Sequence, residues 1–246
     1  MAKTVIYGIH AVESALRNDP ENIGRIWIDK QARKNRLGKL QELIGDCRLS
    51  SLPTDAEQLG KYAGTHRHQG IVAEYMTAKT FTENDLYDLL DNLEEAPFLL
   101  VLDGVTDPHN LGACLRSCDG AGVHAVIAPR DNSASLTPTA RKVASGAAET
   151  IPFVTVTNLA RTLDQLRDRG IWLTATSDKA QQNLFQANLK GPTALVMGAE
   201  GKGIRRLTEE RCDFLISIPM AGQVSSLNVS VATGVCLFEA VRQRSE

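Results

Sequence analysis

The sequence predicts an α/β fold, in which a small N-terminal α/β domain precedes a larger domain built on a parallel sheet. Three observations lead there. From residue 98 onward, short apolar runs alternate with helix-like segments, and such alternation means a parallel sheet covered on both faces. A polar, acidic stretch at 77–96 (Glu83, Asp85, Asp88, Asp91, Glu94, Glu95) sets this pattern apart from a shorter α/β pattern at 1–76 and is expected to be a linker, helical over 85–93. Finally, 246 residues at 43% hydrophobic and 23% charged suffice for one large core or two smaller ones in a soluble protein. No run reaches the length of a membrane span, and the start, MAKTVIYGIHAVESAL, lacks a signal peptide's long apolar core, so a cytoplasmic protein is expected. Five cysteines, an odd number without a framework, suggest reduced thiols.

In the first domain, residues 5–9, 25–29 and 70–75 read as strands, and 11–17 and 37–44 as helices. The stretch 62–69 (YAGTHRHQ) is polar, cationic or neutral, and contains glycine, a loop composition of the kind that carries binding residues. The net charge of −2 is uneven. Residues 1–75 hold 11 Lys and Arg against 9 Asp and Glu, and the remainder holds 16 against 20. The segment 30–39 (KQARKNRLGK) carries five basic residues and no acid, so it either grips a phosphate backbone or is a solvated surface; alone, the second reading is favoured.

In the second domain, strands are predicted at 98–102, 125–128, 151–156, 171–176, 194–197 and 214–218, and helices at 108–119, 138–147, 159–169, 204–211 and 229–242. Ligands on such sheets sit beyond the carboxyl ends of strands, so the loops 104–110, 198–203 and 220–228 are expected to converge. In the first of them Asp107 is a candidate N-cap and Pro108 the first helical residue, with Leu111, Leu115 and Cys118 as the buried stripe. Arg116 lies off that stripe, four residues after Gly112. It is expected either to lie over the bare glycine and reach back toward Asn110, or to be a surface arginine beside an asparagine that satisfies the helix start. Thr137–Pro138 opens the next helix in the same way, and Arg141 and Lys142 are candidate phosphate contacts.

The second loop, GAEGKG at 198–203, is neither a dinucleotide fingerprint nor a P-loop, and on spacing alone it is a glycine turn. The third places Ser225, Ser226 and Asn228 just before the most apolar helix, with Asn228 as a plausible N-cap. Cys114 and Cys118, four apart, read as a helical core face rather than as zinc ligands, and His66 and His68 lack partners for a metal set.

Taken together, N-x-G-x-x-x-R at 110–116, V-M-G-A-E-G-x-G at 196–203 and I-P-M-x-G-x-V-x-S-L-N-V-S-V-A at 218–232 resemble the three motifs of the SpoU (TrmH-like) branch of the SPOUT RNA methyltransferases. YGIHAVESAL, HQGIVA and FLLVLDGVTDPHNLGACLRS are similar to the members that methylate a guanosine 2′-hydroxyl of bacterial 23S rRNA. The resemblance implies a SPOUT domain whose C-terminal part threads into a trefoil knot, and S-adenosylmethionine (AdoMet) held there by Gly198, Ile218 and Leu227, with Met220 and Gly201 nearby. It implies a homodimer, a ribosomal-protein-like N-terminal domain that grips the rRNA, and no need for a metal. Arg116 is the family's proposed base, an awkward role for a guanidinium, or else it binds a phosphate and stabilises the emerging alkoxide. Asn110, Ser226 and Asn228 are implied to orient Arg116 and the ribose, and Glu200 to hold the loop or contact substrate. A tRNA ribose methyltransferase and a non-catalytic rRNA-binding assembly factor are the alternatives. A serine hydrolase using Ser225 or Ser226 lacks the G-x-S-x-G elbow.

Overall fold

The computed structural model describes residues 2–31, 34–77, 81–199, 201 and 203–245. The chain divides into two compact units, Met1–Lys79 and Thr80–Glu246.

The first unit runs β1 (Ala2–Tyr7), α1 (Ile9–Asn18), β2 (Ile23–Asp29), α2 (Lys34–Asp46), β3 (Ser51–Thr54), α3 (Ala56–Ala63) and β4 (Ile71–Thr77). Its four strands lie in the order β1-β4-β2-β3, with β4 antiparallel to both neighbours and β2 parallel to β3. Alternate side chains divide between the two faces, as the pleat requires. Ile26, Ile28, Ile71 and Ala73 pack with Val12, Leu16, Leu37 and Leu40 on the α1/α2 face, while Trp27 and Val72 meet Leu59 of α3 on the other. Strand β3 and helix α3 are absent from the sequence reading. The strand is a four-residue sheet edge containing Pro53, tolerable only at an edge and therefore weak as a signal. The helix buries one residue, Leu59, and is announced chiefly by its Asp55 N-cap. It takes in Tyr62 and Ala63, so the loop before β4 starts at Gly64, whose left-handed conformation ends the helix.

The second unit begins with α4 (Glu83–Asp91), whose Thr82 and Asp85 form a reciprocal capping box. This helix occupies the stretch expected to be a linker, and its Leu86 and Leu90 are buried in the second unit's own core. The unit continues through β5 (Phe98–Asp103), α5 (Pro108–Ala121), β6 (Ala125–Pro129), α6 (Pro138–Ala144), α7 (Ala147–Thr150), β7 (Phe153–Val156), α8 (Leu159–Asp168), β8 (Trp172–Thr176), β9 (Gln182–Asn183), β10 (Thr193–Gly198), α9 (Arg206–Glu209), β11 (Phe214–Ser217) and α10 (Val229–Arg244). Its seven strands are all parallel, in the order β7-β6-β5-β10-β8-β11-β9. All six residues of β5 are buried. Phe98, Leu100 and Leu102 face α5 and α10, and Leu99 and Val101 face α4 and α8.

Two helices differ from expectation. The one expected over 138–147 breaks into α6 and α7, because Ser145 and Gly146 both adopt positive φ (56° and 99°). The one expected over 204–211 shrinks to four residues in α9.

Close approach of α5 and α6 depends on Gly112. A Cβ there would lie 2.4 Å from the Ala140 carbonyl oxygen and 2.7 Å from the Val143 Cβ. Gly112→Ala is expected to destabilise the unit by about 1–3 kcal/mol, measured by denaturant unfolding, because backbone cannot rotate aside.

Helix α10 is tied down at its C-terminal end. Arg244 donates to the carbonyls of Leu189, Pro97 and Gly191 at 3.2, 3.1 and 2.6 Å, and its guanidinium lies 4.4 Å from the Phe98 ring centre. Gln243 bonds Ala187 and Leu189. Glu239 accepts from Arg242 (2.9 Å) and Gln243 (2.8 Å), and these bonds hold its carboxyl down at about 2. A carboxyl depressed on folding stabilises the native state above its ordinary range, about 4.3, and stops doing so as pH falls through its folded value. The excess in thermal stability of the wild type over Glu239→Gln is therefore expected to be full above pH 5 and to close as pH approaches 2.

Candidate active site

The carboxyl ends of β5, β8, β10 and β11 open toward one region, and the connecting loops are held there by identifiable bonds. After β10 the chain makes a tight turn: Ala199 and Gly203 exchange two backbone hydrogen bonds, at 3.0 and 2.9 Å. Gly201 and Gly203 supply the positive φ values (72° and 65°) that this turn needs. Gly198 supplies room. A Cβ on it would lie 2.1 Å from the Gly203 carbonyl carbon and 2.3 Å from the Ile204 nitrogen. Buried Asp103, the last residue of β5, anchors the far end of the turn by accepting from the Arg205 backbone N–H (2.9 Å) and its Nε (2.6 Å).

The third loop ends where Asn228 caps α10. Its Oδ1 accepts from Ser230 N–H at 2.9 Å, as expected for an N-cap. Its Nδ2 donates to Asn110 Oδ1 at 3.0 Å, joining the start of α10 to the first turn of α5 across 118 residues of sequence. Asp107 caps α5 through His109 N–H, with Pro108 in the first turn, and Thr137 caps α6.

The turn after β10 and the third loop line a cavity of about 470 Å³; the 104–110 loop, expected to converge there, does not line it and is joined to its rim only through the Asn110–Asn228 bond. Gly198, Gly201, Ile218, Met220, Ser226 and Leu227 line it, so the structure brings together the cofactor set expected from sequence. Asn110 and Asn228 sit beside it, coupled to each other. Glu200 falls outside the described residues, between two that line the cavity.

Of the two positions expected for Arg116, the structure shows the surface one. The bare side of Gly112 is filled by α6, not by the arginine. Arg116 is exposed and makes no hydrogen bond or ion pair among the described residues, which leaves its guanidinium fork available to an incoming anion. Of the candidate phosphate contacts, Arg141 is committed to Glu149, whereas Lys142 is exposed.

The sequence reading missed the loop after β8. Ser177, Asp178 and Lys179 line the cavity, as does Glu209 of α9. The strand-end argument that selected the other loops applies equally to 176–179 and would have found it. The thiols take no part. Cys114 and Cys118 are buried in the α5 core, and burial pushes Cys114 up to about 11 and Cys236 to about 12, far from a reactive thiolate. Among the described residues no cluster of His, Cys, Asp and Glu is arranged to hold a metal.

The site belongs to an RNA methyltransferase: the chain is a member of the SpoU rRNA methylase family, whose model matches residues 97–238. A second family model, RNA 2′-O ribose methyltransferase substrate binding, matches residues 5–80. The chain is 59% identical over 243 residues to the 23S rRNA (guanosine-2′-O-)-methyltransferase RlmB of Pectobacterium atrosepticum, covering 98% of each protein. It is 56% identical over 241 residues to RlmB of Ralstonia nicotianae, covering 98% of this chain and 96% of that one. Among solved structures it resembles the SpoU methyltransferase AviRb from Streptomyces viridochromogenes in complex with AdoMet, with a TM-score of 0.64, 25% identity and coverage of 99% and 91%.

Proposed function

We propose that this chain transfers a methyl group from AdoMet to the ribose 2′-hydroxyl of a guanosine in 23S rRNA. The observation that carries the reading is the shared cavity: loops drawn from between residues 176 and 229 meet around it, and the motif asparagines are bonded beside it. The residues fit the cofactor. A volume of about 470 Å³ is within the usual range of roughly 300–1,000 Å³ for ligand cavities. Met197, Ile218 and Leu227 give apolar surface for a purine, and Ser177, Asp178 and Glu209 give polar groups for a sugar and an amino acid.

AdoMet supplies a methyl group already activated for displacement, so the protein's work is alignment and charge. The Gly198–Gly203 turn, closed by its own backbone bonds and moored to Asp103, fixes one wall before any ligand arrives, and alignment of this kind is the main lever on a two-substrate displacement. Asn228 and Asn110 hold each other, and Ser226 lies two residues upstream with its side chain exposed for the ribose. Arg116 presents five N–H donors to the phosphate beside the target ribose and to the 2′-oxygen as negative charge develops there.

The same reading makes the protein a cytoplasmic homodimer with a trefoil-knotted catalytic domain. The insertion of β10 between β5 and β8, followed by the return of the chain to α10 on the α5 side, supports the knot. Val231 and Phe238, each 52% exposed, lie two turns apart on α10, a helix otherwise buried on its inner side, and this supports pairing between copies. Phe238→Asp is expected to convert a dimer to a monomer in light scattering. No helix among the described residues is long and apolar enough to cross a membrane.

The test is label transfer. With methyl-labelled AdoMet, label is expected in 23S rRNA at the 2′-oxygen of a single guanosine, mapped by blocked alkaline cleavage. Label confined to tRNA, or no transfer from a chain that binds AdoMet, overturns the assignment.

A further inference from the structure

In the first unit, exposed aromatic rings, an uncommitted arginine and two exposed histidines gather at one corner. Among the described residues strand β1 is a sheet edge, paired with β4 alone. Its last residue, Tyr7, stands opposite Val72, which packs against Leu59 and Trp27 on the α3 face. Tyr7 therefore lies at the margin of α3 and is 42% exposed. At the end of α3, Tyr62 stacks on Trp27 with ring centres 4.5 Å apart and is itself 38% exposed.

The turn after β1 and the loop before β4 are locked together here. Gln69, in a positive-φ conformation, accepts from Ile9 N–H through Oε1 at 3.0 Å. Gly8 N–H donates to the Ile71 carbonyl at 3.1 Å. This places His10 next to the loop that carries His66 and Arg67, and His66 lies against Gly60 of α3. His10, His66 and Arg67 are exposed, and the side chains of His10 and Arg67 make no hydrogen bond or ion pair among the described residues. The nearby carboxylates are already matched: Glu57 pairs with Lys61 and Glu13 with Arg17, both at 2.9 Å. The corner thus offers flat rings, one free guanidinium and the N–H donors of two imidazoles on a pre-formed backbone.

We infer that this corner, formed by Tyr7, His10, Tyr62, His66 and Arg67, is where the first unit grips its RNA, with an unpaired base stacked on Tyr7 and the adjoining phosphates on Arg67 and the histidines. The inference rests on the reading that the protein acts on 23S rRNA, and it adds the place and the kind of RNA: a single-stranded loop or bulge rather than a continuous duplex. Unstacked bases are recognised by exposed aromatic rings beside basic residues, whereas a duplex hides its base faces. The basic segment 30–39, which the sequence alone nominates as a phosphate grip, falls partly outside the described residues and has no aromatic ring within it.

The experiment uses the full chain and an in-vitro-transcribed 23S rRNA fragment containing the methylated guanosine, with binding measured by filter retention over a salt series. Tyr7→Leu and Arg67→Ala are each expected to weaken RNA binding roughly tenfold. Tyr7→Phe is expected to bind as wild type, because the ring and not the hydroxyl does the stacking. Arg67→Ala is expected to lower the slope of log K against log salt by about 1, as one lost phosphate contact should. Both weakened variants should keep wild-type AdoMet affinity and melting temperature, with KM for RNA raised and kcat at saturating RNA unchanged. Arg17→Ala, away from the corner, serves as control and is expected to bind within twofold of wild type. The surface assignment is overturned if Tyr7→Leu and Arg67→Ala both bind RNA within twofold of wild type, or if Arg17→Ala weakens binding as much as they do. A wild-type chain that binds AdoMet but shows no saturable binding of the fragment overturns the rRNA reading itself.

Discussion

Arg116→Ala is expected to lower kcat by about a hundred- to a thousandfold, the usual cost of removing one donor aimed at developing negative charge. Affinity for AdoMet should be unchanged, since Arg116 is not among the residues lining the cavity. Stability should be unchanged too, within about 0.5 kcal/mol, because the side chain is exposed and uncommitted. Arg116→Lys is the sharper test. It keeps a cation but loses the planar fork that clamps two oxygens together. Single-turnover rates at saturating AdoMet and RNA, with calorimetric AdoMet binding on the same samples, separate chemistry from binding. Near-normal turnover by a folded, AdoMet-binding Arg116→Lys would remove the residue from the mechanism.

Gly198→Ala is expected to weaken cofactor binding markedly while leaving the sheet intact. The added carbon would sit 2.1 and 2.3 Å from backbone atoms of Gly203 and Ile204, inside any tolerable contact. Backbone cannot swing away as a flexible side chain does, so the Ala199–Gly203 bridge must open, and with it the cavity wall. Overpacking of this kind costs about 1–3 kcal/mol. Borne by the closed turn alone, that is a five- to hundredfold loss of AdoMet affinity at about 1.4 kcal/mol per decade. Gly222→Ala is the matched control, since nothing lies within 4 Å of that position. Equal AdoMet affinities for the two variants, by calorimetry, would show that the turn does not shape the site.

Much of the catalytic unit was legible because its signals are local. The apolar runs of β5 and β10 sit in a sheet covered on both sides and need no alternation to be read. Asp107, Thr137 and Asn228 announced the helices they cap, and the helix starts fell where those residues stand. The meeting of the second and third loops followed from the rule that strand ends carry ligands, whereas the 104–110 loop does not line the cavity. What escaped was decided at long range or by conformation alone. Nothing local says that Asn110 takes its hydrogen bond from a residue 118 positions away, or that α6, rather than Arg116, fills the space at Gly112. The break between α6 and α7 rests on a serine in the left-handed region, which its own side chain does not advertise. The 77–96 stretch looked like a tether because its acids outnumber its leucines, yet two of those leucines are enough to seat α4 in the core.

The strand order carries a consequence for how the protein is made. β10 lies between β5 and β8, although both leave the ribosome before it. Until residue 198 emerges, β5 and β8 each hold a row of backbone donors and acceptors waiting for a strand not yet synthesised. The middle of the sheet is therefore finished only near the end of translation, and a nascent chain stalled before residue 190 should be digested by protease across both strands, while one released at full length should resist.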